Sequence, residues 1–185
     1  MDAVHAIVLL ADGFEEIEAV TPVDVLRRAG VTVTVAGLKA GPARGSRGVT
    51  MVPDATLDEV ASGRFDLVVL PGGMPGARTL GEDARVRKLI RDARDREAWV
   101  AAICAAPAMV LAPLDLLAGI PATGHPSMKE RVPDWRVQPV VTSGKVVTSQ
   151  GPGTAMAFAL TLVKHLLGDE KAAQIASPMI VRWEA

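Results

Sequence analysis

The amino-acid sequence predicts an α/β fold: a flavodoxin-like, doubly wound three-layer α/β/α sandwich with a mainly parallel sheet. Three observations predict it. Short continuous apolar runs recur between stretches of helical periodicity, as strands covered on both faces require. Several of these runs stop abruptly at Gly- or Pro-rich turns, for example at Leu70-Pro71-Gly72-Gly73. The 185 residues, 49% hydrophobic and 22% charged, are enough for one compact domain with a sizeable core and too apolar for a disordered chain.

Taken in order, Val4 to Leu10 reads as a buried strand ending in Ala11-Asp12-Gly13, followed by a helix within Phe14 to Ala29 that Gly30 stops. Val31 to Ala36 alternates β-branched residues and reads as the next strand, and Asp66 to Leu70 as another. A polar helix is expected over Asp83 to Arg96, a strand over Trp99 to Ile103 and a helix from about Ala105 to Leu111. Pro121 to Pro139, rich in proline and polar residues, suggests an active-site rim with a short helix around Ser127 to Arg131. A hairpin strand, Val146 to Ser149, leads through Gly151-Pro152-Gly153 into a long helix from Thr154 to Leu167. Neither repeat nor linker divides the chain, so a single domain over residues 1–185 is expected.

Charge excludes more than it assigns. Twenty basic and 21 acidic side chains leave a net charge of -1, with no global attraction to nucleic acid or an anionic membrane. The arginines between Arg85 and Arg96 alternate with Asp92 and Asp95, as on a solvated helix. The first residues have no basic leader, and their apolar run is too short for a signal sequence or a membrane span, so the cytoplasm is the expected compartment. One cysteine cannot close a disulfide within the chain. With His5, His125 and His165 scattered, no recognised metal-ligand spacing arises, and neither a metal nor another cofactor is expected.

Cys104 therefore carries the chemical interest, either as a small buried hydrophobe or as a reactive thiol. It follows the apolar strand AWVAAI and precedes Ala105-Ala106-Pro107, placing it where open α/β sheets bind ligands, at a strand end that opens a helix. Such a turn exposes the sulfur, and the helix N-terminus favours a thiolate. The amides of Gly72 and Gly73 can converge with that of Ala105 into an oxyanion hole, although Pro-Gly-Gly is also an ordinary turn. Glu15, Glu16 and Glu18 open the first helix, where the dipole favours carboxylates whatever their function. Glu18 gains meaning if its strand-helix junction abuts the cysteine turn on an adjacent strand.

At these residues the sequence resembles the ThiJ/PfpI superfamily, in the branch of the parkinsonism-associated deglycase (the DJ-one protein) and of bacterial YajL-type relatives. The motifs are GFEEIEAVTPVDVLRRAG at 13–30, VVLPGGMPGA at 68–77, VAAICAAPAMVLA at 100–112, TGHP at 123–126 and TSQGPGTAMAFAL at 148–160. The resemblance implies a homodimer in which Cys104 is the nucleophile at a strained elbow and Glu18 hydrogen-bonds its sulfur. It further implies that amides of Gly72, Gly73 and Ala105 line the oxyanion site, that His125 shuttles protons, and that Arg47 and Arg28 lie near the pocket and dimer interface. Animal members often carry further cysteines where this chain has Gly45 and Val52. A carboxylate beside a thiolate opposes it, so the pair is expected to share a proton, with the Cys104 pKa depressed and that of Glu18 raised.

Ala105 stands where peptidase-like and hydratase-like branches place His. His165, followed by Leu166 and Leu167, lacks the late His-x-Glu of class I glutaminases and reads as a surface or interface residue. The implied activity is a cysteine-dependent glyoxalase or deglycase acting on small α-oxoaldehydes or their glycated adducts through a hemithioacetal at Cys104. The alternative is a redox-sensing, chaperone-like protein whose Cys104 oxidises to a sulfinate.

Overall fold

A computed structural model describes residues 3–183. Its central sheet has seven strands: β1 (His5–Leu10), β2 (Thr32–Gly37), β5 (Ala55–Thr56), β6 (Leu67–Leu70), β7 (Trp99–Ile103), β10 (Val140–Ser143) and β11 (Val146–Ser149). Their order across the sheet is β10-β11-β7-β6-β1-β2-β5, parallel except for the β10–β11 hairpin. Two small ribbons lie outside it: β3 (Ala43–Arg44) with β4 (Thr50–Met51), and β8 (Pro121–Ala122) with β9 (Asp134–Trp135).

The expected three layers follow from the strand pleat. Along β1, Ala6, Val8 and Leu10 pack into one apolar cluster and Ile7 and Leu9 into the other, so consecutive side chains feed opposite faces. The first face is covered by α1 (Glu16–Arg28), α5 (Ala155–Leu167) and α6 (Asp169–Ala176). The second is covered by α3 (Gly76–Glu82) and α4 (Ala84–Asp95), with α2 (Leu57–Val60) at its edge. In α4, Val86, Leu89, Ile90 and Ala93 are buried at helical spacing while the charged residues face outward, as the composition predicts.

Element ends match local chemistry. Ala29 closes α1, and Gly30 takes φ 88°, with its N–H reaching the Arg27 carbonyl at 3.0 Å and that of Val31 reaching Leu26 at 3.0 Å. Pro22 sits inside α1 and has no N–H to give the carbonyl four residues back, which is that of Glu18. Two expected helices are tighter or wider than α. Pro107–Leu111 is a π-helix continued by a 3-10 turn, Ala112–Leu114, and the rim helix is a 3-10 segment, Pro126–Arg131. The helix α6 was not anticipated, although Asp169 and Glu170 after Gly168 are a helix-start signal.

The parallel strands β1, β6 and β7, with β11, finish at the same sheet edge, each in a loop that carries chemistry-bearing groups. These loops are 11–15 after β1, 71–75 after β6, Cys104 after β7 and 150–153 after β11. No helix among the described residues is long and apolar enough to cross a membrane.

Candidate active site

Cys104 adopts φ 63°, a left-handed conformation that is uncommon for a residue bearing a Cβ. Three backbone hydrogen bonds hold the elbow: its N–H donates to the Ser149 carbonyl at 2.9 Å, its carbonyl accepts from the His125 N–H at 2.8 Å, and the Ala105 carbonyl accepts from Met109 at 2.9 Å. The N–H groups of Gly73 and Ala105 face the sulfur and favour its thiolate. Cys104 is half-buried and opens into a cavity of about 350 Å³ lined also by Glu15, Arg47, Gly73, His125, Ser127 and Met128.

Glu18, on the first turn of α1, is wholly buried. Its Oε2 accepts from the Gly72 N–H at 2.9 Å. Oε1 finds no hydrogen bond of ordinary geometry among the described residues, yet the Cys104 thiol is near enough to weigh on the carboxyl. The sequence led to the expectation that the junctions of β1 and β7 sit on adjacent strands; instead β6 lies between them. Contact is made across the end of β6 because that end is glycine. A methyl carbon built at Gly72 would lie 2.6 Å from Glu18 Oε2 and 2.7 Å from Cys104 Cβ, so no other residue fits without displacing one of the pair. Gly73 has φ 86°, and a methyl carbon there would lie 2.4 Å from the Glu15 nitrogen and the Gly13 oxygen.

Burial raises the Glu18 pKa to about 7, opposed by the nearby Cys104 thiol and the Gly72 N–H and helped by the Glu15 charge. Burial also pushes the Cys104 thiol up to about 12, with the nearby Glu18 carboxylate adding to it. The upward direction at Cys104 reverses the expectation of a depressed thiol: desolvation and the facing carboxylate outweigh the two amides. The pair therefore holds two protons below about pH 7 and one above it, carried by the thiol, so a thiolate forms when the ionised Glu18 takes that proton. The unpartnered Oε1 has room to hold it.

Four other expected residues are placed as follows. His125 lines the cavity, and Gly151 lies between it and the buried carboxyl: a methyl carbon there would be 3.8 Å from His125 Cδ2 and 4.0 Å from Glu18 Oε1. Arg47 also lines it, on a loop anchored by Glu16, whose Oε1 accepts the Arg47 N–H at 2.6 Å and the Val49 N–H at 3.3 Å. Burial works against the Glu16 carboxylate, but these donors and the Ser46 hydroxyl hold its pKa below the ordinary value. Gly72 departs from the expected oxyanion role because its N–H is already committed to Glu18, leaving Gly73 and Ala105. Arg28 is not at the cavity. It pairs with Asp24 at 2.9 Å near the end of α1, on the helix face of exposed Ile17 and Val20.

His165 is half-buried, stacked on Trp99 with ring centroids 4.2 Å apart and bonded to the Thr142 hydroxyl at 2.9 Å. Sequence reasoning missed Glu15, Met74 and Met128 as cavity walls. Glu15 is legible as one of the acids opening the first helix; that it caps the helix and what it faces are not. Among the described residues no three His, Cys, Asp or Glu side chains gather as a metal site.

A strained cysteine elbow at the carboxyl edge of a parallel sheet, facing a buried carboxyl and free backbone amides, defines a nucleophile-elbow protein of the flavodoxin-like class. The chain belongs to the DJ-1/PfpI family, whose pattern it matches over residues 4–165. It is 43% identical over 188 residues to the Parkinson disease protein 7 homolog of Danio rerio, covering 96% of this chain and 97% of that protein. It is 36% identical over 180 residues to a Caenorhabditis elegans protein named glutathione-independent glyoxalase DJR-1.2, covering 94% of each. Oxidized Toxoplasma gondii DJ-1 superposes with a TM-score of 0.95 at 37% identity, covering 98% of this chain and 100% of that one.

Proposed function

We propose that this protein is a cofactor-independent glyoxalase that converts small α-oxoaldehydes, free or as early adducts with amines or thiols, into 2-hydroxy acids. The observation that carries the reading is the proton-sharing pair: a half-buried Cys104 sulfur opening on the cavity, with the buried Glu18 carboxyl behind it. The glyoxalase name of the Caenorhabditis elegans relative supports it.

Glu18 takes the thiol proton as sulfur attacks the aldehyde carbon, C1. The C–S bond forms and the C1 carbonyl electrons move to oxygen, held by the Gly73 and Ala105 amides until Glu18 returns the proton and a hemithioacetal stands. Glu18 next removes the C1 hydrogen as a proton, and its electron pair forms the C1=C2 bond of an enediolate. The C1 hydroxyl proton crosses to the C2 oxygen beside His125. As the C1 carbonyl re-forms, Glu18 delivers its proton to C2 and leaves a thioester. Water then adds hydroxyl to C1 and a proton to sulfur, breaking the C–S bond and releasing the hydroxy acid. Adducts first collapse at C1: the C–N or C–S bond breaks as the C1 carbonyl re-forms, the C1 hydroxyl proton passes to the departing amine or thiol, and the freed aldehyde enters the same hemithioacetal.

The test is time-resolved NMR of lactate formed from methylglyoxal by freshly reduced protein. Lactate from wild type and none from Cys104→Ser is the expected result. Folded, reduced protein that makes no lactate would overturn the reading and favour oxidation of Cys104 to a sulfinate in a redox-sensing, chaperone-like role. That second reading draws on the two amides facing the sulfur, which suit sulfinate oxygens, and mass spectrometry after mild peroxide measures it. A cytoplasmic homodimer belongs to the same proposal. Exposed Ile17, Val20, Val49 and Val52 offer apolar surface for a second copy.

A further inference from the structure

His125 has two hydrogen bonds to its ring, and both fall on Nδ1: the Ser127 hydroxyl at 2.8 Å and the Ser127 backbone N–H at 3.3 Å. The hydroxyl alone would leave the tautomer open, because a serine can donate or accept. The backbone N–H can only donate. Nδ1 must therefore offer its lone pair, the hydroxyl must donate to it as well, and the proton of the neutral ring must sit on Nε2. We propose that Ser127 is a positioning residue for the cavity chemistry: it locks His125 in the Nε2–H form, so that the imidazole meets bound substrate as a hydrogen-bond donor.

The arrangement is built into the chain locally. His125 is the N-cap of the 3-10 segment Pro126–Arg131, and its ring fills the role a Ser or Asp side chain usually plays there. Pro126 has no N–H, so the first donor of that segment available to a cap is that of Ser127. The His125 N–H is bonded to the Cys104 carbonyl at 2.8 Å, which ties the cap to the nucleophile elbow. Ring orientation and tautomer are thus set within residues 125–127, and the His125 N–H ties that stretch to the elbow.

The consequence divides the labour at the site. An imidazole with Nδ1 doubly engaged and Nε2 protonated has no free lone pair, so it cannot abstract the thiol proton or the C1 hydrogen. Those tasks fall to Glu18, and His125 stabilises negative charge on the C2 oxygen of the enediolate. This division rests on the proposed aldehyde chemistry, but the tautomer does not and can be read separately.

The test uses full-length protein labelled with 15N-histidine at about pH 8, above the ordinary imidazole range. The His125 ring is assigned by its loss in His125→Asn and its tautomer read from long-range nitrogen–proton correlations. The expected result is Nε2–H in wild type and in Ser127→Thr, and in Ser127→Ala, whose backbone N–H still donates to Nδ1, Nε2–H as the major form with a minor Nδ1–H population. With methylglyoxal, Ser127→Ala is expected to lower kcat about three- to tenfold with KM little changed, as loss of one hydrogen bond that acts in the transition state implies. Wild type in the Nδ1–H form, or Ser127→Ala mainly in that form although its backbone N–H remains, overturns the inference. The expected tautomers in a protein that makes no lactate would overturn the glyoxalase reading alone.

Discussion

Replacing Glu18 by Gln keeps the side chain's shape and its acceptor for the Gly72 N–H while removing the ionisation, which isolates what the carboxyl does to stability and to Cys104. In the folded protein its pKa is about 7 against an ordinary 4.5, so the native state holds this proton more tightly than the unfolded chain does. The contribution is therefore fully present below about pH 4.5 and is lost as pH rises through about 7. At about 1.4 kcal/mol per tenfold change in proton affinity, the loss is about 3 kcal/mol. Urea unfolding of wild type and Glu18→Gln at one protein concentration, from pH 4.5 to 8.5, measures it. Other carboxylates cancel in the difference, which should move by about 3 kcal/mol in the variant's favour across the window. The same substitution removes the charge that opposes the thiolate and presents an amide donor instead, so absorbance titration of the thiolate should place Cys104 below its wild-type value of about 12. A stability difference that does not change with pH, or a thiol titration identical in both proteins, would refute the assignment of these shifts to the Glu18–Cys104 pair.

Gly72→Ala sets a methyl carbon 2.6 Å from Glu18 Oε2 and 2.9 Å from the Ile103 carbonyl, so it should cost about 1–3 kcal/mol in urea unfolding and abolish most lactate formation. Wild-type stability and turnover in that variant would show that the approach of the pair across β6 is not required. Glu16→Ala releases the N–H groups of Arg47 and Val49, and the expected effect is a rise in KM for methylglyoxal with a smaller change in kcat. Unchanged KM would separate the Arg47 loop from substrate binding. Because donors hold the Glu16 pKa down, its contribution to stability is present above the ordinary 4.5 and is lost as pH falls through its lower folded value, a loss absent in Glu16→Ala. Ile17→Glu combined with Val52→Glu should shift the protein from dimer to monomer in sedimentation velocity. A monomeric wild type would end the dimer proposal.

What could be read in the linear chain, and what could not, divides along physical lines. The strands β1, β6 and β7 and the helix α4 are legible because burial on two faces, or on one stripe, imposes a period that the apolar residues must follow. Cys104 was legible as a candidate for a similar reason, since a strand that stops at a small-residue turn exposes its last side chain at the sheet edge. The chain order alone also identified Glu18, but only through the family motifs, because a carboxylate in the first turn of a helix is commonplace. What only the tertiary structure decided is which groups share a bond. Gly72 looked like an oxyanion donor and instead holds Glu18, because its N–H points into the site that α1 packs against. Arg47 and Arg28 were equivalent as basic residues near motifs, yet Glu16 folds one into the cavity wall while the other stays paired with Asp24. The direction of the Cys104 shift turned on the same contact, since a helix terminus favours a thiolate and a buried carboxylate opposes it, and only their packed distances decide between them. Periodicity is a property of neighbours along the chain and survives in the sequence; hydrogen-bond partners and burial arise between residues far apart in it, and exist only once the sheet has brought β1, β6, β7 and β11 to a common edge.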